Sequence, residues 1–207
     1  MALHAVILRA GAITAMVFHA GIAFSASIAV QVADISGHPL SDAVVYAEPL
    51  SGQNVPKRLT PAEIEQKGRK FLPLVTVVQT GTDISFPNND TVRHHVYSFS
   101  AAKTFELKLY SGKPSSPQKF DKPGTVVLGC NIHDQMLAYV KVVDTPYFAK
   151  TDAAGKATLD GIAPGKYSLK AWHYGLPPGA SAPEQDLTVG AGDMQANFSL
   201  NAKPVSR

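Results

Sequence analysis

The only cysteine of this 207-residue chain, Cys130, lies in the run "LGCNIHDQM", with His133 three residues on and Met136 three further. With 7 His and 4 Met in 207 residues, a cysteine finds both partners at those offsets by chance roughly once in fifteen hundred trials. Upstream runs "TGTDISFPNNDTVRHHVYSF", residues 80–99, which ends a strand at Phe86, turns through Asn88, Asn89 and Asp90, and begins another strand at His94 and His95. With Cys130, His133 and Met136 this run completes a set of two imidazoles, a thiolate and a thioether. Two His and one Cys in a trigonal plane, with a long axial Met, suit one copper ion: soft sulfur holds Cu(I) and imidazole accepts Cu(II). A site that suits both oxidation states can change between them with little rearrangement.

Two other chemistries use the same side chains. Zinc rarely takes a thioether and would want another ligand, for which Asp134 is the local candidate. A nucleophilic Cys130 with His133 or His94 as base is the third arrangement, but no oxyanion motif accompanies it and Met136 would have no use there. Adjacent strand residues face opposite ways, so if His94 turns inward, His95 turns outward as a surface or structural residue. The alternatives for His95 are a bracing bond to Asn131, or exchange with His94 as the ligand. Asn88, Asn89 and Asp90 read as turn formers, since Asn and Asp side chains bond their own backbone.

The elements that must bring these residues together are strands. Fifteen prolines and sixteen glycines cut the chain into short segments. Between them lie alternating or β-branched runs at 28–32, 74–78, 95–99 and 139–143, with a turn signal every ten residues or so, the pattern of β-sandwiches. The one helix-like stretch is 61–68, with Thr60 as a possible cap. An all-β fold follows.

Residues 1–25 read as an export leader: Arg9 gives the positive end, Ala10 to Phe24 the apolar run, and Ala23-Phe24-Ser25 the small residues for cleavage. The run is short for a retained membrane anchor, the alternative, and no later stretch is long enough to span a bilayer. Removing Arg9 with the leader leaves 18 basic against 16 acidic residues, a net +2, too weak for a nucleic-acid footprint. One cysteine cannot form an internal disulfide, so in an oxidising compartment burial or a metal must protect it.

Two resemblances emerge from these motifs. "SIAVQVADISGHPLSDAVVYAEP" near the start and "TDAAGKATLDGIAPGKYSLKAW" near the end resemble the opening and closing motifs of the carboxypeptidase-regulatory-like (transthyretin-like) β-sandwich. In that family they lie much closer together than the roughly one hundred residues that part them here. The segment between resembles a cupredoxin of the plastocyanin and amicyanin kind. Phe86, Asn88, Asp90 and His94 match its "F-x-N-x-D-x-x-x-H" run, and Cys130, His133 and Met136 its "C-x-x-H-x-x-M" loop; Phe71-Leu72-Pro73 and Gly81 to Phe86 fit its first strands. Together with "HHVYSF" and "TPYFAKTD", the whole is similar to the proteobacterial plastocyanin-like proteins named for methylamine utilisation.

The resemblance implies a cupredoxin Greek-key sandwich, 59–144, inserted in a split transthyretin-like sandwich formed by 27–52 and 147–200; two domains in tandem are the alternative. It implies one type 1 copper held by His94, Cys130, His133 and Met136. It further implies a periplasmic electron carrier, not an enzyme, that makes transient contact with a dehydrogenase, a c-type cytochrome or an oxidase. The electron would leave by the edge of His133 through an apolar patch for which Pro114, Pro117, Ile132 and Leu137 are candidates. A copper carrier or store using the same ligands is the alternative, and an envelope-binding protein whose inner domain has lost its metal is another. The chain departs from the family at two places: His95 stands where Asn or a hydroxyl residue is usual, and Leu128-Gly129 where an aromatic residue often precedes the cysteine.

Outside this segment, Trp172-His173 closes a strand and could approach a sugar or a partner, the alternative being a core Trp with an exposed His neighbour. Lys67, Arg69 and Lys70 could steer an acidic partner or form a solvated surface.

Overall fold

Period-two burial governs the elements. From Ala26 to Asp34 every second side chain, Ala26, Ile28, Val30, Val32 and Asp34, is buried, as a strand with one face on a core requires. The computed structural model describes residues 26–50, 55–114, 116–177 and 179–203; the expected leader lies outside the described residues. In chain order the strands are β1 (Ala26–Asp34), β2 (Val44–Pro49), β3 (Ala62–Glu63), β4 (Glu65–Lys67), β5 (Lys70–Leu72), β6 (Val75–Gln79), β7 (Thr82–Ser85), β8 (His94–Ser100) and β9 (Lys103–Tyr110). They continue with β10 (Gln118–Phe120), β11 (Gly124–Cys130), β12 (Leu137–Val143), β13 (Phe148–Lys150), β14 (Lys156–Ile162), β15 (Gly165–Trp172), β16 (Glu184–Val189) and β17 (Met194–Leu200). The fold is all-β, and among the described residues no helix is long and apolar enough to cross a membrane.

The strands enclose two cores. The sheets β14-β1-β17 and β13-β2-β15-β16 contribute Ile28, Val32, Val45, Tyr167, Leu169 and Phe198 to one. The five-stranded sheet β6-β12-β11-β8-β9, the small sheet β10-β7-β3 and the β4-β5 hairpin surround the other, with Ile64, Phe86, Phe120, Val126 and Leu128. The chain's return to the first set is fastened just ahead of β2: the buried Thr151 hydroxyl donates to the carbonyl of Leu40 (2.6 Å) and accepts from the amide of Ala43 (2.9 Å).

A third apolar cluster, Val44, Tyr46, Val75, Val143 and Trp172, joins the two sets. Lys141 lies over two of its rings, with Nζ 5.6 Å from Tyr46 and 5.5 Å from Trp172. Trp172 is therefore a core residue, and so is His173, contrary to the expectation of exposure. His173 Nδ1 accepts from the Gly175 amide at 3.0 Å, which leaves Nε2–H to donate to the carbonyl of Ser41 at 3.2 Å. Burial lowers its pKa, and this neutral tautomer satisfies both ring nitrogens.

The helix expected at 61–68 is instead β3 and β4. Its residues favour helix by propensity, but Ile64 and Gln66 are both fully buried while Glu63 and Lys67 are exposed, a two-residue alternation. The segment runs beside the chain at 85–87: the amide of Ile64 donates to Ser85 and that of Gln66 to Pro87, each at 2.9 Å. Tertiary pairing overrides local preference here.

Candidate metal centre

Strand register places the first ligand candidates. Antiparallel β8 and β11 pair Cys130 with Val96 and Gly129 with Tyr97, so the start of β8 lies beside the end of β11. The inward-facing residues of β8 are His94, Val96 and Ser98, all fully buried, and Cys130 is 3 % exposed. His94 Nδ1 lies 3.8 Å from Cys130 Sγ, and His133 Nδ1 lies 3.9 Å from the same sulfur. The two imidazoles meet edge to face with centroids 5.0 Å apart, and the three ligand atoms lie within 4.8 Å of one another. Bonds of about 2.0 Å to nitrogen and about 2.3 Å to sulfur, spread by roughly 120°, would part N and S by about 3.7 Å. The observed spacings fit one ion shared by all three side chains.

The other expected residues divide. Met136 is buried in the same core as Cys130, and its amide donates to the carbonyl of His133 at 2.9 Å, closing the turn between them. Asp134 is exposed and stands outside the three-residue group. His133 is partly exposed, with Ile132 (46 %) and Leu137 (43 %) at the surface nearby in sequence; Pro117 is exposed and Pro114 half-buried. His95 turns away from the site, with Nε2 2.8 Å from Glu106 Oε1, while its carbonyl accepts from the Asn131 amide at 3.2 Å. Asn131 is thus tied through the main chain of residue 95 and not by its imidazole.

Asp90 does more than form a turn. Its Oδ2 accepts from His94 Nε2–H at 3.0 Å and from the Arg69 amide at 2.7 Å, and its Oδ1 accepts from the Thr91 amide. The Arg69 amide, followed by the His94 side chain, holds the carboxyl down at about 2, so it is ionised. A carboxylate on Nε2 fixes the ring's tautomer and leaves the Nδ1 lone pair for a metal. The Arg69 amide reaches Asp90 because Gly68 (φ 59°) and Arg69 (φ 57°) form a tight turn between β4 and β5 with both central residues left-handed. The contribution of that basic group to the site is thus a main-chain N–H, while Lys67 and Lys70 are exposed.

Asn88, also read as a turn former, is buried and anchors the loop. Its side-chain amide donates to the carbonyls of Val92 (2.9 Å) and Tyr110 (2.8 Å), and its Oδ1 accepts from the Asp90 amide (3.0 Å). Only the four-residue spacing of Asp90 and His94 in the sequence hinted at their bond. Asp90→Asn is expected to weaken metal binding by about 10- to 100-fold, as loss of a partner behind a metal ligand typically does. Competition against a chelator measures this, and wild-type affinity would exclude the role.

A family model described as polysaccharide lyase family 4, domain II, matches residues 125–196, strands β11 to β17, which belong to both sets of sheets. No curated protein matches the chain. Among solved structures it is similar to a purple cupredoxin from Nitrosopumilus maritimus, at 21% identity and TM-score 0.36, covering 40% of this chain and 99% of that one. It is also similar to an oxidized amicyanin mutant, at 16% identity and TM-score 0.37, covering 40% of this chain and 82% of that one. A copper-containing nitrite reductase from Thermus scotoductus shows 22% identity and TM-score 0.38, covering 46% of this chain and 25% of that one. At such scores the functional reading comes from the site's own geometry.

Proposed function

We propose that the protein is a carrier of single electrons whose one copper ion would be held by His94, Cys130, His133 and Met136. The carrying observation is the placement of two imidazole Nδ1 atoms at 3.8 and 3.9 Å from one buried thiol sulfur. Copper bound by such ligands supplies reversible exchange between Cu(I) and Cu(II). The chain supplies the rest. Asp90 holds the His94 ring in the tautomer with a free Nδ1, the 133–136 turn sets His133 beside Met136, and the surrounding apolar core keeps water from the sulfur. The partly exposed His133 offers an edge to a partner, with Ile132 and Leu137 as its apolar surroundings.

In this reading the inner strands form a cupredoxin domain, 59–144, set in a loop of a transthyretin-like domain built from 27–52 and 147–200. Residues 1–25 export the chain to the periplasm, where a dehydrogenase supplies the electron and a c-type cytochrome or oxidase takes it by brief contact. The protein transfers charge and makes no covalent change in a substrate. Titration of the metal-free protein with Cu(II) should give the intense visible band of a copper–thiolate bond. That band should bleach on reduction and return on oxidation, cycle after cycle, without loss of metal to a chelator. Loss of the ion to the chelator on reduction would support a copper carrier or store instead, and a colourless adduct would refute the electron-transfer site.

A further inference from the structure

The third apolar cluster joins the two sets of strands, and a cleft opens beside it. Alternation turns Tyr46 of β2 and Lys170 and Trp172 of β15 away from the core that takes Val45, Ala47, Leu169 and Ala171. Lys141 of β12 and Thr125 of β11, partners across the ladder, likewise turn away from the core that takes Val126, Val140 and Val142. Between these two faces lies a cavity of about 630 Å³, bordered by Glu184 and the strip 180–183. That volume falls within the range of small-molecule sites, about 300–1,000 Å³.

The two walls carry opposite charge. Lys141 Nζ lies over the Tyr46 and Trp172 rings and 3.5 Å from the Thr125 hydroxyl, and no carboxylate among the described residues pairs with it. Burial lowers its pKa, and while Glu48 opposes that shift, Lys170 adds to it, so an anion seated on this ammonium would offset the loss of water around it. On the facing wall a single ammonium serves two carboxylates: Lys170 Nζ is 2.9 Å from Glu48 Oε2 and 3.4 Å from Glu184 Oε2. One negative charge is left over there, and Glu184 is the more open of the two acids, its side chain 60 % exposed against 32 % for Glu48.

We propose that this cleft binds a small dipolar molecule, an amino acid or a short peptide, with its carboxylate on Lys141 and its ammonium on Glu184. A simple anion would satisfy Lys141 but face the excess carboxylate across the cleft, and a simple cation would meet the reverse mismatch. A ligand charged at both ends complements both walls at once. The site uses none of the residues assigned to copper, so it stands or falls independently of the electron-transfer reading.

The test is nuclear magnetic resonance titration of the full chain, with isotope labels at the lysine ε-carbons and the glutamate carboxyls. The Lys141 and Glu184 signals are identified by their loss in Lys141→Arg and Glu184→Gln. The ligands are glycine, triglycine and ε-aminocaproate, with butyrate and butylamine as controls charged at one end only. A dipolar ligand should shift both signals saturably and bind several-fold tighter than either control. Preference for glycine over triglycine would identify a free amino acid as the occupant, and the reverse a peptide. Glu184→Gln, at an exposed position that leaves the fold intact, should reduce the affinity of the dipolar ligand to that of butyrate while the Lys141 shift persists. Absence of a Lys141 shift with all three dipolar ligands would overturn the site. Affinity no better than that of the one-ended controls, or unchanged in Glu184→Gln, would overturn the two-ended recognition on which the proposal depends.

Discussion

Cys130→Ser should abolish the visible charge-transfer band of the copper-loaded protein completely. Serine has nearly the same shape, so the fold around residue 130 should persist, but a hydroxyl is a hard donor that neither suits Cu(I) nor gives a copper–thiolate transition. Retention of the band in the serine variant would show that the chromophore lies elsewhere. The histidine pair sharpens the test. His94→Gln should lose the band or greatly weaken metal retention, because His94 Nδ1 is 3.8 Å from the sulfur with Asp90 behind the ring. His95→Gln should keep the band, since that imidazole is committed to Glu106 at 2.8 Å on the other side of the strand. The opposite pattern would reverse the ligand assignment.

Phe86→Ala should cost about 3–5 kcal/mol of stability, the usual range for deleting a buried phenylalanine side chain. Phe86 is 1 % exposed, and its ring meets Phe105 at 5.5 Å and Phe120 at 6.5 Å between centroids. Its carbonyl accepts from the Tyr110 hydroxyl at 2.6 Å and from the Gln66 side chain at 3.1 Å, so a shift of the backbone there would disturb the seat of Asn88 two residues on. Urea denaturation of the metal-free protein should show a lower midpoint with an unchanged slope. A loss under about 1 kcal/mol would mean that the cavity collapses and that the ring is not a main support of the inner core.

The sequence spoke most clearly where physics is periodic or chemically rare. Alternation in 28–32, 95–99 and 139–143 was enough to place β1, β8 and β12, because a strand with one buried face must alternate. The Cys130, His133 and Met136 spacing stood out because one cysteine with both partners in step is improbable by composition. What stayed hidden depends on contacts between distant segments. Nothing local told that residues 62–67 would lie along 85–87 and become strand, or that His173 would be buried with its ring against Tyr174 and its nitrogens bonded to Ser41 and Gly175. The same holds for Asp90: its partners are the Arg69 amide, 21 residues away, and the His94 ring, and a turn propensity describes neither.

The parallel pairing of β1 with β17, Ile28 beside Met194 through Asp34 beside Leu200, has a consequence for biosynthesis. Because synthesis runs from the N-terminus, β1 emerges long before β17, so the outer sheet stays one strand short until β17 follows. Every side chain assigned to the ion has by then emerged, since Met136 is the last of them. The redox pocket can close while the segment that begins at Ala26 still waits for its neighbour.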